Sequence, residues 1–342
     1  MILILNCGSQ SIKWKLFDEK NLKSRKEGGR DVSKKINYQR ILEQELGRLE
    51  DYKEKISTIG HRFVHGGGRF KKPVKITPEV LKELRQLNAL APLHNPYNVL
   101  GIEACLKIFC DIPQIAVFDT EFYKNLAPKV YTYALPEDLA EKYGFRRYGF
   151  HGLSHEYAAK EGARILGKHF NKLRIITCHL GGGSSISAIK NGRIADTSMG
   201  FTPTEGVVMM TRCGSIDPGI ILEIAKNYSL EKTEEILNSE SGVKGICGCD
   251  KMLDVLKKIK KKDKKARLAL DVFVYSIQKQ IGAYLAVLGG CDLLVFTGAI
   301  GFGSRKIRNM ICRDLNFLKK TNVLAVKADE ESMILKKIKS VS

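Results

Sequence analysis

Residues 2–17 read ILILNCGSQSIKWKLF and residues 174–189 read RIITCHLGGGSSISAI. Each stretch is an apolar run, a turn of glycine and serine, and a second apolar run, the pattern of a strand, a tight polar turn and a returning strand. In the first the turn is Asn6-Cys7-Gly8-Ser9-Gln10-Ser11; in the second it is Gly181-Gly182-Gly183-Ser184-Ser185. Read as a repeat, the two imply a duplicated domain, with one small-residue turn in each half facing a shared cleft. The alternative is a chance likeness of glycine-serine turns.

The rest of the chain extends this reading. Residues 115–118 form a short apolar strand ending on Asp119. Residues 293–297 form another, followed by the glycine-rich GAIGFGS of 298–304 and a helix from Arg305. Asn191-Gly192 is a hairpin signal. Residues 19–55 are charged and mostly helical in pattern. Thr77-Pro78-Glu79 marks a helix start, with a capping hydroxyl, a proline in the first turn and an acid at the positive dipole end. Leu81, Leu84, Leu87 and Leu90 would share one face of that helix, with Pro92 and Pro96 stopping it. Strands alternating with helices predict an α/β fold.

At 342 residues the chain is longer than one hydrophobic core usually supports, so two domains are expected. A hydrophobic fraction of 44% with 27% charged residues excludes wholesale disorder. The most apolar run, 284–301, is broken by Gly289, Gly290 and Asp292, so no membrane span is expected. The opening MILILN is too short and lacks a basic lead, so no secretory signal is expected. Nine cysteines without a CxxC pair suggest reduced thiols, a cytoplasmic protein and no structural zinc. The formal charge is +20, with the densest run, KKIKKKDKK, at 257–265 and a second group at Lys336, Lys337 and Lys339. Neither run carries interleaved aromatics for base stacking, so a solvated helix face is expected rather than a nucleic-acid site.

Several residue types converge on one chemistry. Glycines 181–183 and the 298–304 segment can bring backbone N–H groups close to an anion. Arg62 and Arg212 lie in glycine-flanked contexts, GHRFVHGG and MTRCGSIDP, and a guanidinium can hold a carboxylate or phosphate in two parallel hydrogen bonds. Asp119 closes a strand, where open α/β sheets present reactive groups. Of the seven histidines, all but His169 lie near glycine, proline or arginine, where loops are expected. His151 and His155 have i, i+4 spacing but lack the glutamate of a zinc protease. Together these suggest phosphoryl transfer between anions, in which a protein mainly positions reactants and neutralises charge.

With these blocks in order the chain resembles the acetate kinase family, part of the acetate and sugar kinase/actin/heat-shock chaperone superfamily. The matching segments are ILNCGSQSIKWKLFD, GHRFVHGG, LAPLHNP, VFDT, YGFHGLSH, ITCHLGGGSSISAI, SMGFTPTEG, TRCGSIDP and VFTGAIG, ending with the acidic pair of DEES. The resemblance implies duplicated actin-like (ribonuclease H-like) α/β domains around a central cleft. It places an N-terminal domain at 1–120 plus the closing helix 331–342, and a C-terminal domain at 121–330. It implies reversible in-line transfer of the γ-phosphoryl group of ATP to acetate, giving acetyl phosphate and ADP, with Mg2+ or Mn2+ in its place. A cytoplasmic homodimer without nucleic-acid or membrane partners is the implied state.

Carried over by motif, Arg62 and Arg212 would bracket the carboxylate and the transferring phosphoryl group. His151 would stabilise the transition state and Asp119 would be the essential acid. Asn6 and Glu330 would serve the metal, and His94 would position the phosphoryl group. Val64, Leu93, Phe150 and Pro203 would form the small pocket for the acetate methyl. Nucleotide contacts would come from Lys13, His179, Leu180, Gly181, Gly182 and Gly183, from Asp250, Lys251 and Met252, and from Thr297, Gly298, Ala299, Ile300 and Gly301. The departures cluster on the nucleotide side: Gly182 stands where the family usually has asparagine, and Phe302-Gly303 where Glu-Asn is usual. The alternatives are pyrophosphate as donor, propionate as acceptor, or a nucleotide-binding sensor or scaffold without activity.

Overall fold

The opening hairpin forms because its residues alternate between two buried faces. In the computed structural model, which describes residues 1–9, 11–32, 37–315, 318 and 320–340, β1 (Ile2–Cys7) is buried throughout. It pairs antiparallel with β2 (Ser11–Phe17); Gln10 of the connecting turn lies outside the described residues. Leu3, Leu5 and Cys7 point to one face, against Ile41, Leu42 and Leu46 of the helix Tyr38–Gly47 and Cys105 of the helix Asn95–Ile108. Ile4 points to the other face, where the helix Glu330–Lys339 packs. Gly60 makes that docking possible: a Cβ there would stand 2.2 Å from Ile338 and 2.8 Å from Ile4.

The sheet is completed by β3 (Ser24–Asp31), β4 (Thr58–Phe63), β5 (Val74–Lys75) and β6 (Gln114–Phe118), in the order β3-β2-β1-β4-β6-β5. Strands β1, β4 and β6 are parallel, while β1, β2 and β3 form an antiparallel meander. These elements make up one compact unit, Met1–Lys124 with Asp329–Ser342.

The second unit, Asn125–Ala328, repeats the plan. Its strands are β7 (Arg174–Leu180), β8 (Ser184–Lys190), β9 (Arg193–Thr197), β10 (Leu293–Thr297) and β11 (Asn322–Ala325), in the order β11-β10-β7-β8-β9. β7, β8 and β9 form an antiparallel meander, and β10 lies parallel to both β7 and β11. Read from the meander outward, the five strands of the second sheet match β3-β2-β1-β4-β6 of the first in order and direction, and the antiparallel edge strand β5 has no counterpart among the described residues. The resemblance of 2–17 to 174–189 is therefore a structural repeat, as a duplicated α/β fold requires. The helix Lys264–Leu288 packs over the second sheet, capped by Asp263 at its start and by Gly289 in the left-handed conformation at its end.

Three local expectations are corrected and a fourth is refined. Residues 19–55 are not mostly helical: the charged SRKEGGRD is strand β3, recruited by backbone pairing to β2 along an exposed edge. Pro96 does not stop a helix but lies in the first turn of Asn95–Ile108, where its missing N–H has no helical partner to lose. The glycine-rich 298–304 turn between strand and helix is itself helical over Gly298–Gly303, and Ser304 then caps the helix Arg305–Arg313. The histidines are not confined to loops: His61 lies on β4, His179 on β7 and His155 within the helix Gly152–Ile165.

Candidate active site

In the first unit the strand ends gather polar groups. Asn6 lies near the end of β1, Arg62 near the end of β4, and Asp119 immediately after β6. Glu330 opens the helix Glu330–Lys339, where the positive end of the dipole favours a carboxylate. Arg62 ties these together. Its Nε donates to Asp119 at 3.3 and 3.2 Å and its Nη2 at 2.6 Å. Its Nη1 donates to Asn6 Oδ1 at 3.3 Å and pairs with Glu330 at 3.0 Å. Asn6 Nδ2 in turn donates to Glu330 at 3.1 Å and Glu331 at 3.4 Å.

Asp119 is fully buried. Burial works against the charge on Arg62, but Asp119, Glu330 and Glu331 outweigh it and hold its pKa above the ordinary arginine value. Lys15 braces the helix start from below, at 2.8 Å from Asp329 and 3.8 Å from Glu331. The edge of Arg62 that could fork a carboxylate is thus occupied by Asp119.

The other residues singled out in this unit stand apart from that cluster. Lys13 lies across from Asn6 on β2 and is exposed. Val64 is buried, its N–H donating to Asn98. His94 caps the helix Asn95–Ile108, and Leu93 beside it is 39% exposed.

In the second unit the focus is the turn between β7 and β8. His151 precedes the helix Gly152–Ile165 with φ of 56°, a left-handed conformation that a non-glycine residue adopts only under constraint. Its ring stacks on His179 with centroids 4.3 Å apart. A Cβ at Gly183 would stand 3.3 Å from Arg212 Nη1 and 3.4 Å from His151 Nε2, so both groups face the space that the glycine leaves open. Arg212 Nη1 also donates to the Pro203 carbonyl at 3.4 Å. Burial pulls the Arg212 guanidinium pKa down to about 10. An anion arriving beside it would replace lost hydration with charge pairing.

Two glycine-rich segments adjoin here. A Cβ on Gly181 would lie 4.0 Å from Ala299 N, and one on Gly298 would strike Leu180 O at 2.6 Å. Gly182 is exposed, and its carbonyl accepts from Met210 N. Leu180, Thr297 and Ile300 are buried, Gly301 packs by Leu180, and Phe150 is buried. Asp250 and Lys251 are exposed at the start of the helix Met252–Lys260, whose Met252 belongs to the apolar core.

Some residues of these clusters gave little signal. Lys15 and Glu331 look like ordinary surface charges in sequence. The Arg147–Glu205 pair at 2.6 Å, joined by Tyr133, secures the loop that carries Pro203; its only trace is the RRYGFHG and TPTEG blocks. Among the described residues no group of three or more His, Cys, Asp or Glu could hold a metal.

The family model described as "Acetokinase family" matches residues 30–340. Acetate kinase of Clostridium novyi (strain NT) is 42% identical over 96% of this chain and 88% of its own length. Among solved structures, acetate kinase of Porphyromonas gingivalis has a TM-score of 0.87 at 36% identity, covering 99% of each chain. A propionate kinase from Francisella tularensis has a TM-score of 0.89 at 35% identity, covering 98% of each.

Proposed function

The chain belongs to the acetokinase family, and from that premise we propose that it transfers the γ-phosphoryl group of ATP to acetate. A carboxylate oxygen of acetate attacks the γ-phosphorus in line, the bond to the β-phosphate oxygen breaks, and acetyl phosphate and ADP form reversibly. The observation that supports this most directly is that Arg212 Nη1 and the Cε1–Nε2 edge of His151 both lie against Gly183 in the turn between β7 and β8. A guanidinium and an imidazole side by side at a glycine turn suit the oxygens of a phosphoryl group in transfer. The Gly181 N–H is taken by the Gly183 carbonyl, so the backbone N–H groups of 182 and 183 and the helical turn beginning at Gly298 suit the remaining phosphates. In the first unit, Asp119 orients Arg62, which reaches a carboxylate by exchanging one of its present partners.

The same cluster fits a divalent cation. Its donors are hard oxygens, and one guanidinium stands against the two carboxylates of Asp119 and Glu330, leaving excess negative charge. Mg2+ needs only one or two carboxylates when phosphates and water complete its shell, so the lack of a three-ligand cage is no obstacle. Asn6, Asp119 and Glu330 would hold Mg2+, or Mn2+ in its place, and the ion would supply neutralisation of the phosphate oxygens.

Propionate is the second acceptor to consider, because one similar structure is a propionate kinase. One methylene in an apolar pocket is worth only about 1–3 kcal/mol of discrimination. The helix Pro218–Asn227 buries none of its residues, and Ile220, Leu222 and nearby Leu230 are 49%, 64% and 75% exposed, which supports a homodimer through this unit. Among the described residues no helix is long and apolar enough to cross a membrane; the nine free cysteines are in keeping with a reducing, cytoplasmic setting. The test is trapping of acyl phosphate as hydroxamate, with ATP, GTP or pyrophosphate against acetate, propionate or butyrate. ATP with acetate should give the highest kcat/KM; no signal with any donor would refute the reading.

A further inference from the structure

Four side chains of the second unit form one unbroken line of hydrogen bonds. Thr177 Oγ1 lies 2.7 Å from His155 Nδ1, and His155 Nε2 lies 2.7 Å from Ser185 Oγ. Ser185 Oγ lies 2.8 Å from His151 Nδ1. Thr177, His155 and Ser185 are completely buried. Burial, and then the neighbouring His179, push the His155 pKa well below the ordinary value, so its ring is neutral and carries one proton.

Each hydroxyl and each neutral imidazole has one proton to donate and a hydroxyl oxygen can accept two, so three arrangements exist. Where both histidines donate to Ser185, its own proton is left without an acceptor, since its side-chain bonds among the described residues are those to His151 and His155. Two one-way directions remain. In one, His151 donates from Nδ1 to Ser185, Ser185 to His155, and His155 from Nδ1 to Thr177. The Thr177 hydroxyl proton then needs a further acceptor, yet its one hydrogen bond among the described residues is the bond to His155. In the other direction Thr177 donates to His155 Nδ1, His155 donates from Nε2 to Ser185, and Ser185 donates to His151 Nδ1. Every buried donor is then satisfied, which favours this direction.

We propose that Thr177, His155 and Ser185 are positioning residues that hold His151 as a neutral imidazole with its proton on Nε2. That nitrogen faces the space over Gly183 beside Arg212. His151 is thereby a donor to a phosphoryl oxygen without adding a second positive charge next to the half-buried Arg212 guanidinium. The consequence for rate rests on the phosphoryl-transfer reading; the tautomer itself does not.

The full-length protein labelled with 15N-histidine tests both parts. Long-range 1H–15N correlation spectra at neutral pH should show His151 protonated on Nε2 alone, with the signal assigned by its loss in His151→Gln. Thr177→Val removes the hydroxyl that sets the direction while keeping the side-chain shape. The second His151 tautomer should then appear, and kcat should fall about two- to tenfold with KM for acetate within about twofold. Thr177→Ser should restore both. His151 protonated on Nδ1 in the unaltered protein, or an unchanged tautomer in Thr177→Val, would overturn the proposal. Should Thr177→Val not fold, the spectrum of the unaltered protein decides alone. An unaltered protein with the Nε2–H spectrum and no acetyl phosphate would support the hydrogen-bonded line and refute the phosphoryl-transfer reading.

Discussion

A half-buried cation can be costly to the fold and useful to the reaction. Arg212 is partly desolvated, and that loss of hydration lowers its pKa to about 10. Arg212→Ala removes the desolvation cost along with the bond to the Pro203 carbonyl, so the variant should melt close to the unaltered protein. Its kcat should fall on the order of 10³-fold, the scale of losing a charge stabiliser in phosphoryl transfer. Calorimetry and steady-state rates on the same preparation check the pair of outcomes. Arg212, Arg62 and His151 were legible in the sequence because a charged or titratable residue near glycine has few structural reasons to be there, and Asp119 because it closes an apolar strand. Thr177 and Ser185 were not, since a hydroxyl in a strand gives no sign of which proton it aligns. The Thr177–His155 and His155–Ser185 contacts span 22 and 30 residues, a proximity only the folded sheet creates.

At the level of elements, the helix Glu330–Lys339 is the piece on which the first cluster depends. It brings Glu330 to Arg62, and it closes on the sheet only because Gly60 leaves room for Ile338. Gly60→Val should lower stability by about 1–3 kcal/mol through overpacking. Adding Ile338→Ala in the same chain should recover part of that loss, giving a non-additive double-mutant cycle in thermal melts. Additive losses would show that the two residues do not share the space. The helix starts at Thr77 and the β1–β2 hairpin were readable from capping and alternation, because those signals are local. Strand β3 and the role of Pro96 were not, because a charged edge strand owes its conformation to the neighbour it pairs with.

Across the whole molecule, buried neutral histidines tie stability to pH. Burial, opposed by the hydrogen bond that His61 Nε2 donates to Gln114 Oε1, lowers the His61 pKa to about 4 from an ordinary 6.5. His155 is shifted in the same direction. Unfolded, both rings take up protons that the folded protein refuses, so stability is full above about pH 6.5 and falls as pH drops toward 4. His61 alone should account for a loss on the order of 3 kcal/mol across that window. Urea unfolding at stepped pH should show it, and His61→Gln should flatten the slope. The net charge of +20 suggested anionic partners, yet the cations with a chemical reason are few, chiefly Arg62 and Arg212. The sequence alone determined the class of fold and the residue types of the chemistry, because strand alternation, glycine turns and capping act over a few neighbours; the duplication it only suggested, and the matching strand order decided it. Only the tertiary structure decided which groups meet: Arg62 with Asp119 and Glu330, and His151 with Ser185. Those contacts join positions 34 to 268 residues apart, and it is the register of strands and the docking of helices on them that sets such distances.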